Sequence, residues 1–104
     1  MNQADKVLLL KKAVDTWGQA LQLIMVLEET SELQKEVCKI IRGDWSSERM
    51  DSLASEIADV SLMLEQLIFM TGTASKVKLE EDIKLERLNK RLNEGTLAKT
   101  INRP

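Results

Sequence analysis

The chain has no histidine and no tyrosine, one cysteine, and one proline, Pro104. Each absence closes off some chemistry. Without histidine there is no imidazole to activate a serine or cysteine nucleophile, and none of the Glu-x-x-His pairs that di-iron carboxylate bundles use. Cys38 alone cannot close an internal disulfide, so a reducing compartment suits the chain. Set in a helical apolar pattern with no histidine to activate it, Cys38 reads as a buried structural thiol. Three aromatics (Trp17, Trp45, Phe69) and four glycines leave Leu, Ile, Val, Ala and Met to build the interior, a composition that favours an all-α protein. Neither charge sign dominates: 15 Lys and Arg stand against 17 Asp and Glu, net -2. That balance disfavours a nucleic-acid protein held by phosphate neutralisation. Apolar runs are short as well. Ala20–Leu27, interrupted by Gln22, is far below the ~20 residues that cross a bilayer, and Val7–Leu10, followed by Lys11 and Lys12, is too short for a signal segment. A cytoplasmic protein without membrane partners is expected.

At 104 residues the chain has room for one domain. Four helices can be read. The first runs from about Asp5 to Asp15, with a kink or break at Gly18. The second spans about Gln19 to Arg42 and stops at Gly43, placed as a C′ glycine. Asp44–Ser47 form a polar loop carrying Trp45, and Ser46 or Ser47 is placed to cap the third helix, about Glu48 to Met70. Ser75 is the expected cap of a fourth helix ending near Asn93. Residues 1–95 then make a helical domain and 96–104 a tail with little apolar drive to order. Antiparallel packing into a four-helix-bundle-like subunit follows from the helix lengths and short loops. The apolar surface between Ala20 and Leu27 exceeds what one short chain covers, so the subunit is expected to be oligomeric.

Against this background two acidic clusters stand out: Glu28-Glu29-Thr30-Ser31-Glu32 and, after 23 intervening residues, Glu56-Ile57-Ala58-Asp59. Acids three apart share a helix face. At 100° per residue, Glu29, Glu32 and Glu36 fall on the face of Met25, Leu33 and Ile40, while Glu56 and Asp59 fall with Leu53, Val60, Met63 and Leu67. The carboxylates thus interrupt stripes that should pack against other helices, where an unpaired carboxylate costs several kcal/mol and needs a cation, a proton or a hydrogen-bonded partner. Glu28 sits to one side. Four carboxylates without histidine make a hard, all-oxygen donor set of the kind Mg²⁺ or Mn²⁺ prefers. The bland alternative is a set of solvated acidic pairs, which a highly charged chain produces readily.

The pattern Glu28-Glu29-x-x-Glu32…Glu56-x-x-Asp59 resembles the EExxE…ExxD signature of the MazG-like, all-α nucleoside triphosphate pyrophosphohydrolases. The likeness extends to Trp17-Gly18-x-x-x-Gln22, to Val60, and to the basic stretch Lys84-Leu85-x-Arg87-Leu88-x-x-Arg91-Leu92, and covers roughly residues 16–92. The resemblance implies hydrolysis of an NTP or dNTP at the α–β bond, giving the monophosphate and pyrophosphate. It implies Glu29, Glu32, Glu56 and Asp59 as Mg²⁺ ligands, with Glu28 helping to orient or deprotonate the attacking water. It also implies a homotetramer built as a dimer of dimers, with a homodimer as the alternative, and a base pocket shared between subunits.

That chemistry suits these residues. A triphosphate entering an acidic pocket needs bridging cations, and one or two Mg²⁺ would screen its charge and lower the pKa of a water. Lys84, Arg87 and Arg91 share a face of the fourth helix and could reach the β and γ phosphates, or equally pair with Glu80, Glu81 and Glu86. Trp17 and Gln22 are candidates to stack on and hydrogen-bond to the base; core packing is as good a reading for Trp17. Phosphoribosyl-ATP hydrolysis is the alternative substrate class, and a non-enzymatic helical interaction protein is the alternative function.

Overall fold

A computed structural model describes residues 1–95. They form four helices, α1 (Gln3–Trp17), α2 (Gln19–Ile41), α3 (Ser47–Thr71) and α4 (Ala74–Asn93), with no strand among the described residues. The expected tail, 96–104, lies outside them. The chain divides into a compact unit Met1–Gly72, which holds α1 to α3, and a second from Thr73 onward, which holds α4.

Local chemistry explains the boundaries. Asn2 caps α1, its side chain accepting from the Asp5 amide at 2.8 Å. The helix stops at Gly18, whose φ of 86° and ψ of 154° lie in a region essentially closed to side-chain-bearing residues. Nothing stands within 4 Å of where a Cβ would be, so it is the dihedral and not crowding that requires glycine. α2 ends in a Schellman arrangement: the Gly43 amide donates to Ile40 O at 2.9 Å and the Asp44 amide to Lys39 O at 3.1 Å. Ser46, in extended backbone, caps α3 by accepting from the Arg49 amide at 3.1 Å. Ser75, the expected cap of α4, instead lies within that helix, which begins at Ala74.

Within the first unit α2 and α3 pack along each other and α1 packs on both. The five-residue connection between α2 and α3 makes them antiparallel, so late α2 faces early α3. Glu36 therefore meets Arg49 at one end, while Gln22 and Met25 meet Met63 at the other. α1 is tied to α3 by the Lys6–Glu65 ion pair at 2.8 Å and by the Gln66 side-chain amide, which donates to Leu10 O at 3.1 Å.

The interior is small and unusually polar. Among the described residues Val14 and Val60 are the buried apolar side chains, and Gln22, Glu36 and Gln66 are buried beside them. Many large apolar side chains remain open, among them Leu23, Ile24 and Leu27 on α2 and Ile57, Leu62 and Phe69 on α3. Cys38, expected to be buried, is exposed. It lies on a stripe of α2 with Ser31, Gln34 and Lys35; the helix spends its packing face on Met25, Leu33 and Ile40 instead.

Candidate metal centre

The antiparallel register brings α2 and α3 together at mid-length. There Glu29, Glu56 and Asp59 each place a carboxylate oxygen within 4.8 Å of the other two. Glu29 and Glu56 are half-buried and Asp59 is exposed, so the trio opens to solvent on one side. One oxygen of Glu56, Oε2, is sealed from water and has no hydrogen-bond partner. A buried carboxylate oxygen without a donor is costly, and a cation lying between the three acids would satisfy it.

The electrostatics agree with the geometry. Burial, then the charges of Asp59 and Glu56, raise the Glu29 pKa above the ordinary glutamate value. Burial, then Asp59, Glu32 and Glu36, raise that of Glu56. Both shifts mean that ionised acids repel each other here, the condition that a divalent cation relieves. The donor set is three carboxylates, with no nitrogen or sulfur, on two helices that hold their separation. It fits a hard divalent ion such as Mg²⁺ or Mn²⁺.

The remaining acids divide. Glu32 stands outside the trio: its Oε1 lies 3.0 Å from the Lys35 ammonium, one turn along α2, and both side chains are largely exposed. Its charge still reaches Glu56. Glu28 is exposed and adds its charge to the field at Glu29. Glu36 is buried and paired, its Oε2 taking a hydrogen bond from Arg49 Nη1 and its Oε1 lying 3.5 Å from Lys39. The Arg49 bond, ahead of the cost of burial, lowers the Glu36 pKa. Arg49 also donates from Nε to Asp44 Oδ2 at 3.1 Å, so a single guanidinium ties the end of α2, the loop and the start of α3.

Toward the other end of the α2–α3 seam, one turn from Glu29 and from Asp59, lies a groove of about 280 Å³ lined by Trp17, Leu21, Gln22, Met25 and Met63. Gln22, one of its lining residues, is 2 % exposed. Trp17 is largely exposed at the same groove. Trp45, in the α2–α3 loop, is exposed and lines neither feature.

Lys84, Arg87 and Arg91 belong to the second unit. On α4 Lys84 lies 3.9 Å from Glu80, and Lys78 pairs with Asp82 at 3.2 Å. Arg87 and Arg91 have no carboxylate partner among the described residues.

No family model, curated protein or solved structure matches the chain.

Sequence reasoning passed over Arg49, although the signal was available. Arg49 and Glu56 are two helical turns apart and so share the inner face of α3. Glu36 on the facing helix supplies the countercharge that holds this half-buried arginine at the seam.

Proposed function

We propose that the chain is a divalent-metal-dependent nucleotide pyrophosphohydrolase of the MazG-like kind, converting an NTP or dNTP to the monophosphate and pyrophosphate. The observation that carries this reading is the meeting of Glu29, Glu56 and Asp59 across the α2–α3 seam, where one Glu56 oxygen is buried without a hydrogen-bond partner. The groove one turn away, lined by Trp17, Leu21, Gln22, Met25 and Met63, would give the same seam a place for a base.

On this reading Glu29, Glu56 and Asp59 hold Mg²⁺, and Glu32 joins them on loading. Bound there, Mg²⁺ would screen the triphosphate and polarise its α-phosphorus. Glu28, exposed beside Glu29, accepts a hydrogen bond from the attacking water and orients it. No histidine, activated cysteine or activated serine is present, so direct attack by water suits the site better than a covalent intermediate. Gln22 hydrogen-bonds to the base edge while Trp17 stacks on its face. Lys84, Arg87 and Arg91 of α4 are the candidates for phosphate contacts, on the strength of their shared helix face.

Oligomerisation belongs to the same proposal. Leu23, Ile24 and Leu27 form an exposed apolar stripe on α2, and Leu85, Leu88 and Leu92 another on α4. Apolar surface of this extent marks a protein interface. The proposed assembly is a homotetramer, a dimer of dimers, in which a second subunit completes the base pocket. Among the described residues no helix is long and apolar enough to cross a membrane, and the exposed thiol of Cys38 suits a reducing, cytoplasmic setting.

The exposed apolar faces alone would also suit a helical interaction protein without catalysis. A pyrophosphate-release screen over canonical, modified and phosphoribosylated nucleotides separates the readings. Release with Mg²⁺ from wild type and loss in Glu56→Gln are expected. No release from any substrate with Mg²⁺ or Mn²⁺ would leave the interaction reading standing.

A further inference from the structure

The charged residues of α2, from Glu28 to Lys39, all fall within about 120° of its circumference at 100° per residue. Diametrically opposite runs a stripe at alternating four- and three-residue steps: Leu23, Leu27, Thr30, Gln34, Val37 and Ile41. It holds no charge from end to end, in a chain that is 31% charged. Leu27 is 69 % exposed and Ile41 79 %. The Thr30 hydroxyl donates to Val26 O at 2.9 Å, so covering it strands no donor. α3 repeats the pattern. Ala54, Ile57, Ser61, Leu64 and Ile68 follow the same steps without a charge, opposite Asp59 on the helix circumference. Ile57 and Leu64 are exposed.

Both stripes lie on one side of the α2–α3 pair. The helices meet through Glu29, Glu56, Met25 and Met63, and in antiparallel helices the same rotation away from that seam leads to the same side. Asp59, the exposed acid, lies on the other side, as does Gln66, which ties α3 to α1. The result is an uncharged face two helices wide, on helices of 23 and 25 residues. It is about 35 Å long and about 20 Å wide. Meeting its own copy would bury about 1,400 Å² in all, above the about 1,000 Å² that a specific interface needs. We propose that this face pairs with the same face of a second copy, α2 and α3 of each chain closing into a four-helix bundle. A copy matches the face in three respects. It brings the same spacing of apolar residues and no charge to be buried. It keeps the two acidic sides apart, where pairing through them would set like charges together. Each α2 seam also carries one Gln34, a polar position of the kind that fixes register between helices. The inference deepens the association proposed above and rests on it, not on the metal centre.

Light scattering after size-exclusion chromatography of the full-length chain tests it. At about 10 μM, where a micromolar or tighter interface is populated, wild type should have at least twice the mass of one chain. Leu27→Glu and Ile57→Lys, one on each helix, place a charge in the seam. Each should weaken association at least about a hundredfold and cut that mass at least by half. Both positions are exposed in the single chain, so both variants should keep the helical circular dichroism of wild type. Leu8→Glu, at a comparably exposed α1 residue off this face, should leave the mass unchanged. Hydroxyl-radical footprinting of wild type gives a second reading that needs no variant. Leu27, Ile57 and Leu64 should become protected as concentration rises through the Kd, and Leu8 should not. A wild type still monomeric at about 100 μM would overturn the association and this face together, leaving the face to a different protein. An oligomer whose mass neither face variant changes, or one that Leu8→Glu disrupts as much as Leu27→Glu, would overturn the face alone. So would equal protection of Leu8 and Leu27.

Discussion

Replacing Glu56 by glutamine should make the metal-free protein more stable and at the same time abolish its stabilisation by magnesium. The first effect follows from the raised pKa values of Glu29 and Glu56, which show that the native fold opposes ionisation of these carboxylates. The crowding of Glu29 and Glu56 is thus a native-state cost that the unfolded chain does not bear. Glutamine at 56 removes one charge, and its amide can donate to the Glu29 and Asp59 oxygens within 4.8 Å. The second effect is linkage. A cation that binds only the folded chain stabilises it by about 2.7 kcal/mol at a hundred times its Kd. For a chain of this size that corresponds to a rise in Tm of roughly 10–20 °C. Differential scanning calorimetry at pH 7.5, fixed protein concentration and matched ionic strength would read both effects. The expected order of Tm is wild type without metal lowest, Glu56→Gln with or without Mg²⁺ in the middle, and wild type with Mg²⁺ highest. A metal-free Glu56→Gln protein less stable than metal-free wild type would refute the repulsion argument. A wild-type Tm indifferent to Mg²⁺ and Mn²⁺ would refute the metal centre.

The pH dependence of metal-free stability should be biphasic. Groups with raised pKa (Glu29, Glu56) stop opposing the fold as pH falls from their native values toward the ordinary glutamate value; Glu36, with its lowered pKa, contributes stability above that value and loses it as pH falls further. Urea midpoints against pH should therefore rise on mild acidification and then fall, and a monotonic fall from neutrality would contradict this. Arg49→Met strands a buried Glu36 and should lower the urea midpoint far more than Lys35→Met, whose pair is exposed; equal effects would count against the clamp. Gly18→Ala forces a side chain into a glycine-only conformation and should cost about 1–3 kcal/mol by chemical denaturation, although the site is open; a neutral result would show that the α1–α2 junction is not fixed as described. Val60→Ala removes buried apolar volume and should cost about 2 kcal/mol by chemical denaturation, and a neutral result would contradict the burial of Val60.

The parts of this fold that were legible from sequence are those set by local rules. Gly18, Gly43 and Ser46 punctuate the helices because backbone conformation and capping are properties of a few neighbouring residues. Helical periodicity likewise predicted which acids share a face with Leu33, Val60 and Met63. What periodicity does not carry is the choice that each long side chain makes once the helices are placed. Glu32 has the same spacing and face as Glu29, yet it turns to Lys35 because an ammonium three residues on competes for it. Glu36 looks like a further acid on the stripe and is instead neutralised by Arg49, a partner that only the antiparallel register supplies. Cys38 was misread because an apolar neighbourhood in sequence was taken as burial. With so small an interior, much of the apolar surface of α2 is not covered by this chain, and Cys38 lies among the exposed residues. The basic residues of α4 mark the other boundary, since which phosphate they could reach depends on placement and not on spacing.

The most direct test of the central claim is the fate of a nucleoside triphosphate incubated with the protein and Mg²⁺ in ¹⁸O-labelled water, followed by phosphorus NMR and mass spectrometry. The account predicts nucleoside monophosphate and pyrophosphate in equal amounts, with the label in the monophosphate, and no turnover by Glu56→Gln. Release of orthophosphate, label in the pyrophosphate, or turnover undiminished in Glu56→Gln would contradict it.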